Sequence, residues 1–90
     1  MAHTIKGKSK LLARVRRIRG QIEAIERGLE AEIGCTDILQ LVASVRGATN
    51  GLLVELVEDH LRNHVVEAKT RDERIAGGEE LIDVIKSYVK

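Results

Sequence analysis

One thiol and three imidazoles are the side chains of this sequence best suited to holding a ligand: Cys35, His3, His60 and His64. His60 and His64 stand four apart in LLVELVEDHLRNH, residues 52–64, a run that reads as helix. That spacing puts both rings on one face, where two histidines can share a metal ion. A thiolate with imidazoles is a borderline-soft donor set, suited to nickel, cobalt, zinc or copper. Removal of the initiator Met before Ala2 would add an amine to the set. Singly, each residue has a plainer reading: the histidines as surface residues, Cys35 as a small hydrophobe at a helix start. The combination is what points to a metal.

The elements that carry these residues restrict how they can meet. If one helix runs from about residue 36 to 66, Cys35 lies roughly 37 Å from His60 at ~1.5 Å per residue. They cannot meet within that helix. They can meet where two such helices pack antiparallel across a subunit interface, so the sequence points to a site shared between chains.

The helical reading rests on periodicity. From about Ile5 to Glu30 the apolar positions Leu11, Val15, Ile18, Ile22, Ile25 and Leu29 follow steps of 4, 3, 4, 3 and 4, a heptad-type seam. Residues 31–34 are a turn, with Gly34 suited to a left-handed backbone. Thr36 or Asp37 can cap a second long helix with a broad apolar face, from Ile38 to Val65. Gly47 and Gly51, one turn apart, predict a close helix–helix approach. Thr70-Arg71-Asp72-Glu73 has capping-box spacing and opens a third helix. Its face uses Leu81, Ile82, Ile85, Tyr88 and Val89, and Gly77-Gly78 is a candidate interruption. The expected fold is all-α, a three-helix protomer with two long helices. Rods of about 39 and 45 Å exceed a compact 90-residue monomer, about 24 Å across in diameter of gyration. Pairing of the long helices between copies would cover their apolar faces.

Ninety residues bound the chain to a single domain, 1–90. One Cys forms no internal disulfide, and no signal peptide or long apolar run is present, so a cytoplasmic location without membrane insertion is expected. The net charge of +1 predicts no partner, but its distribution does. Residues 1–20 hold Lys6, Lys8, Lys10, Arg14, Arg16, Arg17 and Arg19 and no acid, while residues 21–90 hold all 14 acids. Lys10, Arg14 and Arg17 share one helix face, and Arg46 on the second helix can extend it. A solvated helix face is the plain alternative, yet cations without an interspersed carboxylate form an electrostatic footprint for phosphates. With no aromatic platform for stacking, double-stranded DNA is favoured over single strands. No phosphate loop, paired carboxylates or nucleophile–base–orienter set appears, so no enzymatic activity is expected.

The chain resembles the small all-helical CsoR/RcnR/FrmR-type repressors, which respond to copper, to nickel or cobalt, or to formaldehyde. The similarity covers nearly the whole chain. It is strongest in LLARVRRIRGQIEAIERGLE (residues 11–30), in Cys35 opening the second helix, and in VRGATNGL (residues 45–52). The resemblance implies an antiparallel dimer assembling into a dimer of dimers, an apo-protein bound to operator DNA, and release by the effector. It maps DNA contacts onto Arg14, Arg17 and Arg46, with Arg16 on the flank, and the effector site onto Cys35 and His60.

The resemblance also orders the effectors. Copper sensors of the family carry a second Cys where this chain has His64. Nickel and cobalt sensors carry His3, Cys35, His60 and His64, all present here. Formaldehyde sensors resemble the first helix closely but typically carry Pro at position 2 and Glu at position 64, where this chain has Ala2 and His64. The ligand set favours Ni(II) or Co(II), with Zn(II) as an in-vitro substitute. The alternative is formaldehyde, linked between the Ala2 amine and the Cys35 thiolate.

Overall fold

The structure, a computed structural model, describes residues 7–88. It contains α1 (Lys8–Glu30), α2 (Cys35–Leu61), a π-helical turn (Arg62–Val66) that continues α2, and α3 (Arg71–Tyr88). Among the described residues there is no strand. The chain divides into two compact units, Gly7–Leu53 and residues 54–88, with the boundary falling inside α2. Ile5, Lys6 and Val89, which the sequence assigned to helical faces and the basic block, lie outside the described residues.

In the first unit, α1 opens behind Gly7, whose carbonyl accepts the Leu11 N–H at 3.0 Å. The heptad-type seam splits into two rows. Leu11, Ile18 and Ile25 are half-buried, whereas Val15, Ile22 and Leu29 remain 46%, 51% and 60% exposed.

The end of α1 corrects the sequence reading. Glu32, not Gly34, takes the left-handed backbone, with φ of 55°, and no described glycine has positive φ. The Glu32 N–H donates to the Leu29 carbonyl at 3.1 Å and the Ile33 N–H to the Gly28 carbonyl at 3.1 Å. This pair of bonds is a Schellman closure, which puts the left-handed residue two positions past Glu30 whatever its type. Ile33 then folds back on Gly28. A methyl group there would lie 2.8 Å from Ile33 Cδ1 and 3.0 Å from Ile38 Cδ1. The absent side chain makes room for two isoleucine tips.

Gly34 serves α2 instead. Its carbonyl accepts the Ile38 N–H at 3.1 Å, the first bond of the helix, so the cap is one residue before Cys35 rather than Thr36 or Asp37. Asp37 falls in the first turn, where a carboxylate suits the positive end of the helix dipole.

In the second unit, Thr70 caps α3 as the box spacing predicts, while the return bond from Glu73 reaches one residue further back, to Lys69 rather than to the cap itself. The Glu73 N–H donates to Thr70 Oγ1 at 3.1 Å, and Glu73 Oε2 accepts from the Lys69 N–H at 3.3 Å. The helix runs unbroken through Gly77-Gly78 to Tyr88, so the expected interruption does not occur. Gly77 is buried because another segment presses on it. Among the described residues no large apolar side chain is fully buried, and Ile82, Ile85 and Tyr88 on α3 stay exposed.

Candidate functional site

The end of α2 brings two of the four candidate ligands together. The imidazoles of His60 and His64 lie with ring centroids 4.7 Å apart and planes tilted by 36°. Helical spacing alone would bring them near each other. Here the helix also widens, because the Glu67 N–H reaches back five residues to the Arg62 carbonyl at 2.9 Å. Such π turns need help from side chains, since backbone groups lose their regular partners. Asn63 Nδ2 donates to the Asp59 carbonyl at 2.7 Å. From α3, Arg74 Nε donates to the Val65 carbonyl at 3.3 Å and Arg74 Nη2 to the Ala68 carbonyl at 3.5 Å.

The His60 ring is itself anchored. Its Nε2 lies 3.0 Å from the Gly77 carbonyl oxygen. A carbonyl only accepts, so the hydrogen of this bond sits on Nε2. Glu80 Oε1 is 3.6 Å from the same nitrogen and Glu80 is largely exposed, too far for a direct hydrogen bond.

Cys35 is a free, exposed thiol in the first turn of α2, and His60 sits in the last turn of the same helix. The helix is continuous between them, as the sequence required. His3 lies outside the described residues. Among the described residues, no three His, Cys, Asp or Glu side chains of one chain cluster closely enough to hold a metal ion. The His60–His64 pair supplies two borderline donors, which fits a late transition metal in chemistry and needs completion from elsewhere.

The basic residues gather in the first unit. Arg14, Arg17, Ile18, Gln21 and Ala48 line a small pocket between α1 and α2. Arg16, Arg17 and Arg46 are exposed and Arg14 is half-buried. The first turn of α1 contains no acid, so this helix forgoes the favourable pairing of carboxylates with its N-terminal dipole. That departure fits a surface kept positive for another purpose. Arg46 borders a broad open groove on α2 with Gly47, Asn50 and Leu53.

Within the chain, a methyl on Gly47 would meet nothing within 4 Å, whereas one on Gly51 would lie 3.2 Å from Arg14 Nη2, so Gly51 leaves room for a guanidinium carried by α1. Gln21 ties the helices together, with Nε2 donating to Ser44 Oγ at 3.4 Å. Sequence reasoning passed over Asn63, Arg74 and Gln21, because their partners are set by the packing of segments and not by a local pattern. For Gly77 a signal existed, a glycine in an otherwise regular helix, but it was read as a break.

A family model described as "Metal-sensitive transcriptional repressor" matches residues 7–87. The chain is 48% identical to the uncharacterized protein in the bioA 5′ region of Serratia marcescens, with all of both chains covered. It is 39% identical to the transcriptional repressor RcnR of Citrobacter koseri, again over the full length of both. Among solved structures it matches a glutamate-to-histidine variant of the formaldehyde-responsive regulator FrmR from Salmonella enterica serovar Typhimurium. That match has a TM-score of 0.84 and 48% identity, and covers 92% of this chain and 94% of the other.

Proposed function

This chain belongs to the metal-sensitive transcriptional repressor family, and we propose that it leaves its operator when Ni(II) or Co(II) binds between subunits. Members of the family are repressors, not enzymes, and the family's description implies a metal effector. The observation that carries the finer reading is the paired imidazoles of His60 and His64, 4.7 Å apart at the end of α2. Cys35 of a neighbouring subunit is the thiolate donor in this proposal, and His3 completes the set. A bound metal supplies one centre that draws donors from different chains together. The residues of the chain do the rest: the π turn holds the ring pair, and α1 carries the positive surface that engages operator phosphates.

Assembly is part of the reading. The exposed row Val15, Ile22 and Leu29, with Leu39, Val42 and Val54 on α2, supports an antiparallel dimer and a dimer of dimers, since a second copy would remove these side chains from water. No helix among the described residues is long and apolar enough to cross a membrane.

The effector choice rests on position 64. The solved FrmR neighbour is a variant in which histidine replaces glutamate, and the substituted position bears the number of the native His64 here. The RcnR relative matches over its full length, and the resemblance of the ligand set to nickel and cobalt sensors supports the same choice. Formaldehyde is the second reading, supported by the higher identity to the FrmR chain, 48% against 39%. In that chemistry the Ala2 amine and Cys35 thiol would take up the formaldehyde carbon as a methylene bridge, with loss of one water.

Co(II) titration tests the ligand set. The complex is expected to show a thiolate-to-metal charge-transfer band that is absent in Cys35→Ala, and His64→Glu is expected to weaken Co(II) and Ni(II) binding, as a harder carboxylate replaces an imidazole. A band that survives Cys35→Ala removes the thiolate from the site. For DNA, Arg14→Ala, Arg17→Ala and Arg46→Ala are each expected to weaken operator binding. The log–log salt slope should fall by about 0.9 for each phosphate left without its cation. An unchanged slope in the triple variant would leave the basic block as a solvated face.

A further inference from the structure

Glycine is the poorest helix former after proline, yet Gly51 lies in the interior of α2. What it faces belongs to α1. A methyl group built on Gly51 would lie 3.2 Å from Arg14 Nη2, tighter than ordinary van der Waals contact. One turn earlier on α2, Ala48 lines the small pocket that Arg14 shares with Arg17, Ile18 and Gln21. Arg14 is half-buried there, whereas Arg16, Arg17 and Arg46 are exposed. About two turns beyond Arg14, Gln21 Nε2 donates to Ser44 Oγ at 3.4 Å and ties the same two helices together. Of the four arginines assigned to DNA, Arg14 is the one laid against a second helix.

We propose that Gly51 is a positioning residue of the DNA-binding surface. By carrying no side chain, it lets the Arg14 guanidinium lie against α2 and sets where that cation meets a backbone phosphate. The proposal rests on the reading of Arg14 as an operator contact. Its physical content is steric and entropic. An arginine free in solvent loses much rotamer freedom when it grips a phosphate; one already laid against a helix has less to lose. The guanidinium need not serve the phosphate alone, because its five N–H donors can reach more than one acceptor. A methyl at position 51 shifts the guanidinium by a few tenths of an ångström, and a larger side chain evicts it. The rival account of Gly51 is a close approach by a helix of another copy, which would act through assembly and not through Arg14.

Operator affinity of the full chain, measured over a range of salt concentrations, tests this through a double-substitution cycle. Gly51→Ala is expected to weaken binding by about 2-fold or more. Gly51→Leu is expected to weaken it as far as Arg14→Ala does, with the salt slope lowered by about 0.9 for each phosphate that loses its guanidinium. Combined with Arg14→Ala, Gly51→Ala is expected to add nothing; combined with Arg46→Ala, it is expected to keep its whole effect. Gly78→Ala, whose added methyl meets nothing within 4 Å, is the control and is expected to bind as wild type does. Sedimentation of Gly51→Ala is expected to match wild type. A Gly51→Ala variant with wild-type affinity overturns the proposal. So does an effect that persists in full without Arg14, or a loss of binding that comes with altered assembly. If Gly51→Leu does not fold, the Gly51→Ala cycle still decides. An Arg14→Ala variant with unaltered affinity and salt slope overturns the reading of Arg14 as a DNA contact, and this role of Gly51 with it; the two failures are told apart by which single variant is silent.

Discussion

Gly28 and Gly77 are the two buried residues among those described, one in each compact unit, and they differ in what they face. Gly28 looks at the Cδ1 atoms of Ile33 and Ile38, the free ends of side chains that can rotate. Gly77 looks at the carbonyl group of His64, which moves only if a helix moves. The first glycine closes a turn whose backbone bonds are all local. The second seats a separate helix against the turn that bears two candidate ligands. A soft contact is enough to end a helix, while a rigid one fixes how closely two segments approach.

Alanine substitutions measure that difference, by chemical denaturation at a fixed protein concentration because assembly contributes to stability. Gly77→Ala is expected to be the most disruptive, destabilising by about 1–3 kcal/mol through overpacking against main chain. Gly20→Ala, where an added methyl meets nothing within 4 Å, is expected to stabilise by up to about 1 kcal/mol through helix propensity. Gly28→Ala should change stability least, because a propensity gain of about 1 kcal/mol is offset by displacing two isoleucine tips. A Gly28→Ala destabilisation as large as that of Gly77→Ala would mean the isoleucine tips are as immovable as backbone, and the distinction between the two glycines would fail.

The same contrast explains what could be read from the sequence. The helices were legible because periodicity is local: the seam in α1, the turn at 31–34 and the Thr70 cap all appear where the pattern put them. The continuation of α2 to Val66 was legible, but its change to a π turn was not. That stretch is met from the following helix, where Arg74 reaches the Val65 carbonyl, a contact no local pattern displays. The left-handed residue was assigned to Gly34 because glycine tolerates it best, yet the hydrogen bonds that close α1 assign it to Glu32. Gly77 was misread because a glycine pair looks alike whether it breaks a helix or admits a neighbour.

In the candidate site the residue types were readable and the constraints on them were not. His60 and His64 were paired by spacing, and they are paired in space. That the Gly77 carbonyl anchors His60 is a contact between segments, invisible to any local pattern. Arg14 was read as a basic residue on a helix face, and its seat against Gly51 belongs to the packing of α1 on α2.

Release from DNA by a metal held on these histidines and Cys35 can be measured with purified protein and operator, challenged in turn with Ni(II), Co(II), Zn(II), Cu(I) and formaldehyde. Ni(II) or Co(II) is expected to weaken operator binding by roughly 5- to 150-fold, a coupling of about 1–3 kcal/mol, and His64→Ala is expected to abolish that response. Release by formaldehyde alone, or an unaltered metal response in both His3→Ala and His64→Ala, would rule out metal sensing through this site.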